Sequence, residues 1–74
     1  MVNEEIGKRL TEMREERGQT KRTVAKRIGI PYRTYCSYEY GERNPSDSAK
    51  VRIAEYFGVT VETLFYANAY HETR

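Results

Sequence analysis

Apolar side chains recur along this chain at helical spacing. Ile6, Leu10 and Met13 stand at i, i+4 and i+7. Val24, Ala25 and Ile28 stand at i, i+1 and i+4, Ala49, Ile53, Tyr56 and Phe57 form a further stripe, and Val61, Leu64 and Phe65 another. Such spacing lines up one face of an α-helix, and no stretch alternates with period two for long enough to make a strand. Gly18, Gly29, Gly41 and Gly58 fall between the stripes, where glycine ends helices most often. The pattern predicts five helices, at residues 3–17, 20–28, 31–40, 46–57 and 61–68, packed as a compact all-α bundle. Thr20, Ser46 and Thr60 stand where an N-cap oxygen is wanted. Pro31 at the start of the third helix offers no such oxygen, although proline is tolerated as a first helical residue. Residues 1–68 read as one domain, and 69–74 as a short tail expected to fray unless a partner orders it.

Composition sharpens the picture in places. A domain of 74 residues buries only roughly 60% of its unfolded surface, so its stability margin is thin. No run approaches the roughly 18 apolar residues of a membrane span, and MVNEEIGKRL lacks the basic-then-apolar order of a secretory signal. One cysteine, Cys36, allows no internal disulfide and fits a cytoplasmic protein. His71 has no second His or Cys at ligand spacing, so no metal is expected. No cofactor-binding loop, paired-carboxylate cleft or nucleophile–base set appears, which argues against an enzyme. The net charge is +2, but residues 18–43 carry six Lys/Arg against two Glu, a local +4. A basic segment attracts phosphate, unless it is only a solvated helix face.

The second and third helices are separated by two or three residues around Gly29 and Ile30, the arrangement of a helix-turn-helix unit. Particular residues add to that geometry. From Leu10 to Phe65 the chain resembles the lambda-repressor/Cro-like (XRE-type) helix-turn-helix family. The resemblance lies in Leu10 with Arg14, TKRTVAKRIGI (Thr20–Ile30), YEYGERNPS (Tyr38–Ser46) and IAEYFGVTVETLF (Ile53–Phe65). It implies a lambda-repressor-like five-helix bundle that binds double-stranded DNA. The third helix would enter the major groove and the second would lie across the backbone, its N-terminus toward phosphate.

Four tyrosines, Tyr32, Tyr35, Tyr38 and Tyr40, crowd the third helix. On a wheel of about 100° per residue with Tyr32 at zero, Cys36, Tyr40, Arg33 and Ser37 fall between about 0 and 140°. Tyr38 and Tyr35 fall on the far side, near 240 and 300°. Those two are read as core, with hydroxyls that must reach water or a polar partner. The outward face fits base readout: Arg33 can fork onto guanine O6 and N7, and Tyr32 stands near the helix start, where base edges come closest. Ser37 lies one turn beyond Arg33, and Thr34 sits at the edge of the arc. Cys36, on the same arc, is expected to be a small passive side chain near the DNA. Each has a plainer alternative as solvated surface.

Gln19, Thr20 and Lys21 open the second helix, where free backbone N–H groups and the helix dipole favour phosphate. Tyr40, Arg43 and Asn44 match positions where the family makes phosphate contacts. Arg14 and Glu39 match a family ion pair between the first and third helices. Lys50 replaces the family's usual leucine, and Asp47 also replaces an apolar type. Either Lys50 lays its methylenes over the core and lifts its ammonium out, or the helix turns toward Ala49 and Val51. A homodimer through the fifth helix and tail, by way of Leu64, Phe65, Tyr66 and Tyr70, is expected, unless Leu64 and Phe65 are ordinary core. No small-molecule effector or membrane partner is implied. The combined expectation is a transcriptional regulator, most simply a repressor. The rival is an antitoxin-like protein-interaction module of the same fold.

Overall fold

The computed structural model describes the backbone of residues 2–72 and the side chains of residues 4–66. Five helices follow in order: α1 (Val2–Glu16), α2 (Lys21–Ile28), α3 (Tyr32–Tyr40), α4 (Asp47–Phe57) and α5 (Val61–Glu72). There is no strand among the described residues. Each helix sends one fully buried side chain to a common centre: Leu10, Val24, Tyr35, Ile53 and Leu64. A domain this small has room for a single core, and that core joins every element. α3 packs against α1 and α2, and α4 packs against α2 and α5.

The ends of the helices follow local chemistry. Thr20, Ser46 and Thr60 accept hydrogen bonds from the backbone N–H groups of Thr23, Ala49 and Thr63, at 3.1, 3.2 and 3.0 Å. α2 stops at Gly29, whose φ of +86° is open to glycine at little cost. The N–H groups of Gly29 and Ile30 both return to the Ala25 carbonyl at 2.9 Å. Ile30 then drops into the core beside Val24 and Ala25, the apolar contact that accompanies this type of stop. The same closure recurs at Gly41, where the Glu42 N–H reaches the Ser37 carbonyl at 3.0 Å. Pro31 is the N-cap of α3 rather than its first helical residue, and α3 has no side-chain cap.

α5 continues to Glu72, past the expected end at 68. No Gly or Pro follows Gly58 in the sequence, and Ala67 and Ala69 are the best of helix formers. The expected dimer surface needs a larger correction. Leu64 and Phe65 are 1% and 6% exposed and belong to the core, because α5 must cover α4 and α1 to close the bundle. Tyr66 is exposed, and the side chain of Tyr70 lies outside the described residues.

At Lys50 the second sequence alternative fails. Ala49 is buried but Val51 is exposed, so α4 has not turned toward Val51. Lys50 is itself buried as a residue, 9% exposed. Nζ donates to Tyr66 Oη at 2.8 Å and lies 5.0 and 5.7 Å from the Tyr66 and Phe65 ring centres. No carboxylate pairs with it among the described residues. A partly desolvated ammonium without a counter-charge is costly, and methionine has similar length and no charge. Lys50→Met is therefore expected to raise stability by about 1 kcal/mol, seen as a higher urea midpoint at unchanged slope. A lower midpoint would mean that the ring and hydroxyl contacts outweigh the cost of burial.

Candidate nucleic-acid interface

α3 is a short rod fixed from behind. Tyr35, Cys36, Tyr38 and Glu39 are buried, an arc of about 160° on the helical wheel. Cys36 was expected on the outward face and lies inside instead. The reason is that α1 and α2 both cover α3, so its buried arc is wide and runs past Glu39 to Cys36. What remains outside is a strip of Tyr32, Arg33 and Tyr40, all exposed, with half-buried Ser37 and Thr34 along its edge.

Within that strip Arg33 makes no side-chain hydrogen bond or ion pair among the described residues. Ser37 Oγ donates back to the Arg33 carbonyl at 3.1 Å. Its proton is thus engaged, while its lone pairs remain free to accept. Tyr32 and Tyr40 frame the strip at its two ends, and each is met by a cation from the first turn of α2. Lys21 Nζ lies 3.2 Å from Tyr40 Oη and 4.9 Å from its ring centre. The hydrogen bond to Tyr40 raises the lysine's pKa above its ordinary value, so the ammonium stays charged. Arg22 lies over Tyr32, with its guanidinium carbon 4.1 Å from the ring centre.

Arg22 has no place in the sequence-derived site. No periodicity marks it. The usable signal was an Arg ten positions before an aromatic, across a tight turn that brings two helix starts together.

The expected phosphate residues do not all point one way. Thr20 Oγ1 caps α2 and also donates to Thr23 Oγ1 at 3.0 Å. Gln19 turns its side-chain carbonyl toward α4, accepting from Tyr56 Oη at 2.7 Å, which leaves only its amide N–H groups to donate. Arg43 and Asn44 are exposed in the segment after α3. Arg14, Gly18, Gln19, Thr20, Lys21, Arg22 and Tyr32 line one open hollow beside the start of α2.

A buried polar cluster holds α3 in place. Arg14 Nε donates to Glu39 Oε2 at 2.7 Å and Nη2 donates to Oε1 at 3.2 Å, a two-pronged pair between α1 and α3. Arg14 Nη1 also reaches the Gln19 carbonyl at 2.9 Å, so one guanidinium joins α1, the entry to α2, and α3. Tyr35 Oη donates to Glu39 Oε2 at 2.6 Å. Thr11 Oγ1 stands 3.0 Å from Glu39 Oε1 and 2.9 Å from the Gly7 carbonyl, and its single proton serves one at a time. The hydrogen bond to Glu39 pushes the Arg14 pKa up. Burial, then the bond to Glu39, pushes the Tyr35 phenol up, so it remains a donor.

Comparison with known proteins agrees with this geometry. A family model described as helix-turn-helix matches residues 10–64. The HTH-type transcriptional regulator AnsR of Bacillus subtilis is 38% identical over 56 residues, covering 76% of this chain and 48% of that protein. The chain thus spans about half the length of that relative. An uncharacterized HTH-type transcriptional regulator of Archaeoglobus fulgidus is 35% identical over 57 residues, 77% of this chain and 81% of its own. A similar one from Methanocaldococcus jannaschii is 35% identical over 46 residues, 62% of this chain and 70% of its own. No solved structure matches the chain. With the matched segment running from the core residue Leu10 of α1 to the core residue Leu64 of α5, the chain belongs to the XRE-type helix-turn-helix family of DNA-binding transcriptional regulators.

Proposed function

We propose that this protein is a cytoplasmic, sequence-specific repressor that places α3 in the major groove of an operator and blocks polymerase. The observation that carries this is Arg33: an exposed guanidinium without a side-chain partner among the described residues, on a helix packed from behind. Its planar fork suits the two acceptors of guanine, with Tyr32, Ser37 and Thr34 as the neighbouring base contacts. Lys21, Tyr40, Arg43, Asn44, the backbone at Thr20 and the Gln19 amide would set the register on phosphates, which position without reading sequence. One module of this size makes few base contacts. A homodimer spanning half-sites about 34 Å apart would supply the rest, with Tyr66 and the end of α5 as its contact surface.

The test is selection of bound sequences from random duplex DNA at about 0.15 M salt. The wild-type protein should enrich one half-site. Arg33→Ala should relax preference at a single base position and cost about 1–3 kcal/mol in affinity for the selected site. Equal weakening on every sequence would remove Arg33 from base reading. Failure to enrich any sequence, with tight capture of a protein partner, would favour the antitoxin-like alternative.

A further inference from the structure

Arg22 is an exposed basic residue in the first turn of α2. Among the described residues it makes no hydrogen bond and no ion pair. Its guanidinium instead lies over Tyr32, with its central carbon 4.1 Å from the ring centre. Tyr32 opens α3, is 39% exposed, and follows an N-cap that offers no side-chain bond. Two observations meet here: an exposed aromatic at the start of α3, and a cation over its ring.

We propose that Arg22 is a positioning residue for DNA recognition, which stacks on Tyr32 from α2 and holds its ring in the one orientation that meets a base. This rests on the DNA-binding role proposed above for α3. An Arg–aromatic stack fixes the plane of the ring, and the guanidinium edge keeps N–H groups free for a backbone phosphate. Arg22 would then link phosphate registration on α2 to base reading on α3. The preference of Tyr32 would depend on a residue that touches no base.

The experiment compares wild type, Arg22→Ala, Arg22→Lys, Tyr32→Ala and the Arg22→Ala/Tyr32→Ala double variant. Each is assayed by sequence selection and by affinity across a salt series. Arg22→Ala should reduce preference at the one base position met by Tyr32 by about two- to fivefold. Its thermal midpoint should stay near that of wild type, because both side chains are exposed. Arg22→Lys should restore the salt dependence but only part of the base preference, since lysine keeps the charge without the planar stack. In the Tyr32→Ala background, Arg22→Ala should change base preference no further.

Uniform weakening by Arg22→Ala with every base preference intact would overturn the proposal and leave a simple phosphate contact. Additive effects of the two alanine substitutions on base preference would overturn it as well. A wild-type protein that selects no sequence would remove the role of α3 and this proposal together. A wild type that selects a site and an Arg22→Ala variant that selects it equally well would remove this proposal alone.

Discussion

Glu39→Ala is expected to lower folding stability by about 3–5 kcal/mol. The carboxylate is the shared acceptor for Arg14 and Tyr35 on two different elements. Its side chain is 1% exposed and that of Arg14 is 12% exposed. Truncation therefore removes more than an attraction. It strands a guanidinium and a buried phenol whose partners were fixed, and unmet buried donors carry most of the penalty. A domain of this length starts near the lower end of the usual range of about 5–15 kcal/mol. The loss should show as a fall in the thermal midpoint of at least roughly 12 °C. Adding Tyr35→Phe to Glu39→Ala removes one stranded donor and should recover about 1 kcal/mol. A drop below about 1 kcal/mol for Glu39→Ala alone would mean that water replaces the carboxylate freely. The cluster could not then be what holds α3.

The order of the five helices was legible because three simple signals agreed. Apolar residues recur at helical period, glycine closes four of the intervals, and a Thr or Ser opens three of them. The inward rings of α3 were legible for the same reason, since Tyr35 and Tyr38 sit opposite Arg33 on the wheel. Cys36 was misplaced because a wheel gives the order of side chains around an axis and not the width of the covered arc. That width depends on how many helices pack against α3, a tertiary quantity. Leu64 and Phe65 were offered to a dimer because an apolar stripe looks the same whether it covers its own core or a neighbour's.

Lys50 shows the opposite case. Its charge argued for water, yet its ammonium lies against the rings of Phe65 and Tyr66 on α5. The stack of Arg22 on Tyr32 depends on the angle at which α2 crosses α3, and no local pattern encodes that angle. The placement of side chains was therefore readable wherever residue type and helix face decide it. It was unreadable wherever two elements must be placed against each other.

Gly7 belongs to that second group, and its substitution carries the other large effect. It lies inside α1, where glycine is worse than alanine by about 1 kcal/mol. Local propensity alone would make Gly7→Ala stabilising. Across the helix interface the balance reverses. A Cβ on Gly7 would overlap the Glu39 carbonyl oxygen and sit 2.9 Å from the Tyr38 carbonyl oxygen. Both obstacles are backbone of α3, so no rotamer change relieves them, and α1 must back away. Overpacking against fixed neighbours costs about 1–3 kcal/mol or more. Retreat of α1 would also stretch the Arg14–Glu39 pair two turns further along the same helix. The costs are coupled, and Gly7→Ala is expected to destabilise by a net 2–3 kcal/mol or so. Lys8→Ala, at the exposed neighbouring position, should be near neutral. Chemical denaturation of the two variants side by side makes the measurement. If Gly7→Ala matched or exceeded wild type, α1 and α3 would be free to separate without loss. Their close approach could not then be what sets the height of α3 above the core.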